Sequence, residues 1–247
     1  MDASFAELVR DVDVLCLDAG NTVVFLDHAR LAGLVSARGH AVSVEALVRG
    51  EGVAKRLQEE GAMADFAWSH RETPGGAGWG RMVGTMLRSA GVPEAALPDV
   101  VSSLWPEHVE RNLWSVVPEG FGEAIGRVRA LGVRTAVVSN SEGMLDVLFA
   151  ELGIARYLDV LVDSGKVGVE KPDPRIFELA LEWAGGTRDR ALHLGDSYAT
   201  DVLGARAAGV RVALVDPYDH LADRHLDVPR VPGVVAVAEA IAALRTR

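Results

Sequence analysis

The 247-residue sequence holds a single cysteine, Cys16, and only three tyrosines. One thiol excludes a disulfide framework. Its place in the apolar run 14–17 marks it as a buried, inert side chain suited to a reducing compartment. Basic residues are outnumbered, 25 Lys and Arg against 35 Asp and Glu, for a formal net charge of −10. Such a chain offers no basic face to nucleic acid or to an anionic membrane. Long hydrophobic runs are missing too: none approaches the roughly 18 apolar residues that a membrane-spanning helix needs. The N-terminal stretch MDASFAELVRDVD is acidic and amphipathic, without the basic start and apolar run of a secretory signal. These absences predict a cytoplasmic protein with no nucleic-acid and no membrane partner. Nothing in the sequence chooses between a monomer and a homodimer.

What is present is apolar bulk, 49% of residues, enough for a large domain or for a main domain with an insertion. Short Val- and Leu-rich runs at 12–17, 133–139, 160–162, 191–194 and 210–215 read as strands of a parallel sheet buried on both faces. Helical patterns at 120–131, 143–152, 174–183 and 200–208 alternate with them, and Gly132, Gly153 and Gly209 stop three of these helices. The expectation is a doubly wound α/β fold, closed by a last helix over 236–244. Residues 27–112 break the rhythm with four helical patterns at 27–40, 43–61, 80–91 and 93–114, and roughly 85 residues is far too long for a simple crossover. We expect an inserted α-helical cap over 27–112 and a core domain made of 1–26 and 113–247. Trp183 is expected in the core, and the glycine-rich stretch AWSHRETPGGAGWG, 67–80, as a loop.

Polar residues fall at the ends of the strands. Asp18 ends the first, Ser139 the second in AVVSNSEG, and Asp196 a later one in LHLGDSYATD; Lys171 lies between strands in GVEKPDP. Ligands of open α/β sheets bind beyond the carboxyl ends of the strands, so these groups converge if the strands are neighbours. Asp18, Asp196 and Asp201 are hard oxygen donors, a set that suits Mg²⁺. Without a cation such carboxylates raise one another's pKa. Ser139 and backbone N–H groups at a helix start can donate to phosphate oxygens, Lys171 can neutralise charge, and Asp18 is then free to attack as a nucleophile. Taken singly, each has a plainer role: strand-end acids form turns, Ser139-Asn140-Ser141 can cap a helix, and the prolines of EKPDP mark a turn. His70 and His193 lack a pairing that would make them ligands, so we read both as structural.

The joint order of LDAGNT, VVSNSEG, GVEKPDPRIF and LGDSYATDVLGARAAG resembles the haloacid dehalogenase (HAD) superfamily, in its subgroup with a helical cap after the first strand. The resemblance implies a Rossmann-like core. It makes Asp18 the nucleophile and a Mg²⁺ ligand, the carbonyl of Gly20 a ligand, and Asp196 and Asp201 metal carboxylates. Ser139, with Asn140 beside it, and Lys171 become the phosphate-binding groups. Phosphatases of this family usually carry Asp where Gly20 stands, as general acid/base. Its loss removes a rate factor of about 10²–10⁴ and favours substrates with good leaving groups. A proton donor from elsewhere is the other solution, with Asp27, His28, His70 and Glu72 as candidates or a water. Trp68, His70, Arg71 and Trp79 are candidate substrate contacts. The resemblance therefore implies a Mg²⁺-dependent phosphohydrolase of a small phosphorylated metabolite. Alternatives are a metal-independent 2-haloacid dehalogenase and a catalytically weak binding or regulatory protein.

Overall fold

A computed structural model describes residues 3–73 and 75–246. In chain order the elements begin with α1 (Ala3–Leu8), β1 (Val14–Leu17) and β2 (Phe25–Leu26). Four helices follow: α2 (His28–Ser36), α3 (Val44–Glu59), α4 (Gly76–Ser89) and α5 (Leu97–Glu110). Then come β3 (Trp114–Val116), α6 (Phe121–Ala130), β4 (Arg134–Ser139), α7 (Leu145–Glu151), β5 (Val160–Asp163), α8 (Ser164–Val167) and α9 (Arg175–Ala184). β6 (Ala191–Gly195), a π-helical turn (Tyr198–Val202), α10 (Leu203–Ala207), β7 (Arg211–Val215), β8 (Arg230–Val231) and α11 (Val234–Arg245) complete it.

The described residues form two compact units. One comprises Met1–Phe25, Val116–Pro217 and Asp223–Arg247; the other comprises Leu26–Ser115 with Tyr218–Ala222. The first is an α/β unit around a six-stranded sheet, β5-β4-β1-β6-β7-β8, in which every pairing is parallel. β1 lies at its centre because all four of its residues, Val14 to Leu17, are apolar and buried, as a strand covered on both faces requires. From β1 the chain winds outward through β4 and β5, then returns to the other side as β6, β7 and β8. The strand order thus reverses at β1, which places the carboxyl ends of β1, β4 and β6 side by side. α9 packs on β4, β5 and β1, and α6 packs on β4 and α11. Gly132, Gly153 and Gly209, placed at helix ends by the sequence, take the left-handed conformation after α6, α7 and α10.

The second unit is helical. α3 and α4 pack along each other, α2 on α3 and α5 on α4, around a core that includes Leu31, Leu47, Val83, Met86 and Leu104. Asp27 and Ser43 cap α2 and α3 by accepting the N–H groups of Arg30 and Ala46.

Three expectations need correction. The stretch 67–80 is not all loop, because α4 starts at Gly76. Glycines of α4 make room for neighbours: a Cβ on Gly80 would sit 2.4 Å from the Trp68 indole, and one on Gly84, later in the helix, 2.4 Å from the Phe66 ring. Trp183 is 49% exposed rather than core. α9 buries Ile176, Phe177, Ala180, Leu181 and Ala184, and Trp183 lies at the edge of that stripe in the last turn. The helix expected over 200–208 opens as the π turn, a distortion with no sequence signature here.

Candidate active site

Asp18 follows the last residue of β1 and is 7% exposed. Its N–H donates to Leu194 O of β6 at 2.8 Å, which ties the residue to the neighbouring strand. The chain then folds into a tight turn. Ala19 O accepts from the N–H groups of Val23 and Val24, both at 2.9 Å, and Asn21 adopts a left-handed φ of 52°. Asn21 Nδ2 donates to Asp196 Oδ2 at 3.3 Å, so this turn touches the carboxylate that follows β6.

Lys171 joins the acids. Its Nζ donates to Asp18 Oδ1 at 2.5 Å and to Asp201 Oδ1 at 2.6 Å, and the residue is 3% exposed. Asp201, 1% exposed, belongs to the π turn. Its Oδ1 also accepts from His193 Nε2 at 2.8 Å, and its Oδ2 accepts from Ser197 N–H at 3.0 Å. The fit is close enough that β6 must end in glycine: a Cβ on Gly195 would fall 2.1 Å from Asp201 Cγ. Asp18, Asp196 and Asp201 each present a carboxylate oxygen within 4.8 Å of the others.

The three carboxylates gather in a largely buried place, and the Lys171 ammonium bonds two of them. Burial pushes the Asp18 carboxyl up to about 7, Asp201 and Asp196 add to that push, and Lys171 opposes it. Burial also acts on Asp201, but the Lys171 charge and the His193 hydrogen bond outweigh it and hold Asp201 below the usual carboxylate range. For Lys171, the cost of burial is overcome by Asp18 and Asp201, which raise its pKa and keep it charged. Three hard oxygen donors gathered this closely suit a divalent cation such as Mg²⁺.

Ser139 closes β4 and is 4% exposed. Val137 pairs with Leu17 in the parallel register, so Ser139 stands level with Ala19, one residue beyond Asp18. Asn140 clamps the backbone of Lys171: its Nδ2 donates to Lys171 O at 2.9 Å and its Oδ1 accepts from Lys171 N–H at 2.7 Å. Two residues that the sequence did not single out hold the loop after Ser139. Asp163 Oδ1 accepts from the N–H groups of Gly143 and Gly165, both at 3.0 Å, and its Oδ2 from Leu145 N–H at 3.2 Å. Ser164 Oγ accepts from Ser141 N–H at 3.0 Å. The available signal was an acid at the end of an apolar strand, the same pattern that marked Asp18. His193, read as structural, touches the cluster through Asp201.

The remaining candidates lie in the helical unit. The Asp27 carboxylate caps α2. His28 is buried, and its Nε2 lies 2.9 Å from Glu51 Oε2. Trp68, Trp79 and His70 belong to an aromatic cluster with Trp105 and His108; the Trp68–Trp79 centroids are 5.7 Å apart. Arg71 pairs with Asp65 at 2.5 Å and with Glu72.

The model of the haloacid dehalogenase-like hydrolase family matches residues 12–209. The chain is 32% identical to human haloacid dehalogenase-like hydrolase domain-containing protein 3 over 208 residues, 83% of this chain and 82% of that one. Against the mouse protein of that name it is 37% identical over 138 residues, which is 56% of this chain and about half (55%) of the relative. A phosphoserine phosphatase of Thermus thermophilus is 38% identical over 111 residues, 43% of either chain. Among solved structures, the HAD hydrolase YfnB of Bacillus subtilis, solved bound to magnesium, superposes with a TM-score of 0.63 at 16% identity, covering 96% of this chain and 99% of that one. At that identity the likeness concerns the fold alone. With the family model spanning most of the sequence and a relative aligned along 83% of it, the chain belongs to the haloacid dehalogenase-like hydrolase family.

Proposed function

We propose that the protein is a Mg²⁺-dependent phosphohydrolase of a small phosphorylated metabolite, working through an aspartyl-phosphate on Asp18. One observation carries this reading: three carboxylates within 4.8 Å of one another, with the Lys171 ammonium bonded to two of them. The likeness to a phosphatase relative supports it. Asp18, Asp196, Asp201 and the carbonyl of Gly20 would hold Mg²⁺, which supplies positive charge beside the phosphoryl oxygens.

In this mechanism Ser139 Oγ and Lys171 Nζ donate to phosphoryl oxygens and hold phosphorus against Asp18. Asp18 Oδ1 is engaged by Lys171, so we assign attack to Oδ2. The new Asp18 O–P bond forms as the bond to the leaving oxygen breaks. Water then attacks phosphorus, releasing inorganic phosphate and restoring the carboxylate. With Gly20 in place of an acid, the leaving oxygen draws its proton from solvent or departs as a stable anion. Acyl phosphates and activated esters are therefore the preferred class. We assign the helical unit the role of cap and of substrate selection. The metal-independent dehalogenase remains the second reading, because Gly20 removes the phosphatase acid while Asp18 persists.

A panel of phosphorylated metabolites assayed with Mg²⁺ and with EDTA tests the proposal. Phosphate release that EDTA abolishes supports it. Halide release from 2-haloacids in EDTA, with no phosphate release, would overturn it.

A further inference from the structure

We infer that His193 is a positioning residue for the proposed reaction, holding Asp201 so that Lys171 stays on Asp18; the inference rests on the phosphohydrolase reading. His193 sits in the middle of β6, paired with Cys16 on one side and Val212 on the other, and is 0% exposed. Its strand neighbours Leu192 and Leu194 are apolar and equally buried. A polar ring there costs free energy unless it is bonded. The imidazole stands edge-on to Phe177, with centroids 4.9 Å apart, and its Nε2 reaches Asp201 Oδ1 at 2.8 Å.

The chemistry of that bond follows from its acceptor. An ionised carboxylate has no proton to give, so Nε2 carries the hydrogen and donates it. Asp201 thus receives His193 and Lys171 on Oδ1 and Ser197 N–H on Oδ2, and these donors fix the plane of its carboxylate. Lys171 Nζ, shared between Asp201 and Asp18, is fixed in turn. His193 touches neither substrate nor nucleophile. Its effect runs through Asp201, and a misplacement of about 1 Å in such a group can cost up to 10²-fold in rate.

Two variants of the full-length chain separate positioning from packing. His193→Leu keeps an apolar side chain in an apolar layer and removes the donor. His193→Gln puts an amide N–H back near the place of Nε2. The expected result is a kcat about 10- to 100-fold lower in His193→Leu, with KM within about twofold, Tm unchanged or higher, and kcat largely restored in His193→Gln. A His193→Leu enzyme with wild-type kcat would overturn the inference. So would variants that lose kcat only in proportion to Tm, with no rescue by glutamine. Long-range ¹H–¹⁵N correlation spectra of the wild-type imidazoles give a readout that needs no substrate: His193 should appear protonated at Nε2, and a ring without a proton on Nε2 contradicts the inference. If wild-type protein hydrolyses no phosphate compound, the functional reading falls, while the imidazole signal still decides whether His193 donates to Asp201.

Discussion

The two units treat buried charge in opposite ways. In the helical unit, Glu51 is 2% exposed, yet it is matched. Burial pushes its carboxyl up, but the bond to His28 and the charges of Lys55, His28 and His220 outweigh that and hold it below the usual range. His108, packed among tryptophans, stays neutral: burial and then the Arg30 charge push it down to about 4, and its Nδ1 accepts from Leu113 N–H at 3.2 Å. In the α/β unit, by contrast, Asp18, Asp196 and Asp201 lie together, Lys171 bonds Asp18 and Asp201, and Asp18 is still driven up to about 7. The helices surround their buried acid with cationic partners, whereas the strand ends gather three acids in one place, a donor set that suits a cation. Perturbed groups of this kind mark functional sites more often than structural ones.

The comparison can be broken at four places, in descending order of effect. Asp18→Asn should lower phosphate release by about 10³-fold or more with the circular dichroism spectrum unchanged. In the absence of Mg²⁺ it should raise Tm, because one of the clustered charges is gone. Retained turnover sinks the nucleophile. Gly195→Ala drives a Cβ into the Asp201 carboxylate. It should cost about 1–3 kcal/mol of stability and about 10²-fold in activity, measured by denaturant midpoint and phosphate release. Gly126→Ala, inside α6 with nothing within 4 Å of its Cβ, should leave stability and activity intact and serves as the control.

The third place is in the helical unit. His108 titrates near 4 in the folded chain against an ordinary 6.5, so the unfolded chain binds more protons between those values and stability falls as pH drops through that window. The loss should approach about 2 kcal/mol by pH 5, and His108→Gln should flatten it. Tryptophan fluorescence follows it directly, since Trp68, Trp79, Trp105 and Trp114 all lie in the helical unit. A wild-type profile that is flat in this window contradicts the assignment. The fourth is Gly20→Asp, which should raise hydrolysis of unactivated phosphate esters about tenfold and leave acyl phosphates unaffected. Equal effects on both classes would show that leaving-group protonation is not what Gly20 removes.

Much of the α/β unit was legible because it rests on simple rules. Runs such as VLCL and ALHLG can hardly be anything but covered strands, and a polar residue directly after such a run has to lie at the sheet's carboxyl edge. That logic placed Asp18, Ser139 and Asp196 at strand ends and left Lys171 in a connecting loop; that the strands are neighbours comes from the strand order β4-β1-β6. It failed where packing, not pattern, decides. The glycines of GGAGWG looked like loop formers, but Gly76 to Gly80 lie in α4, where Gly80 makes room for Trp68. Tyr218–Ala222 groups with the helices although it lies some 100 residues later in the sequence, a long-range contact that no local signal encodes. His193 looked like a satisfied core histidine. Its Nε2 is indeed bonded, but to the acid that holds Lys171. Asn140 was read as a phosphate contact, and its side chain turns out to clamp the Lys171 backbone.

The central claim is that Asp18 becomes phosphorylated, and mass spectrometry of the acid-quenched enzyme tests it most directly. With Mg²⁺ and an acyl-phosphate substrate, the account predicts one phosphoryl group on the peptide that carries Asp18, removed by hydroxylamine and absent in Asp18→Asn. Rapid phosphate release from wild-type enzyme with no label on that peptide at any quench time, or a label that persists in Asp18→Asn, would contradict it.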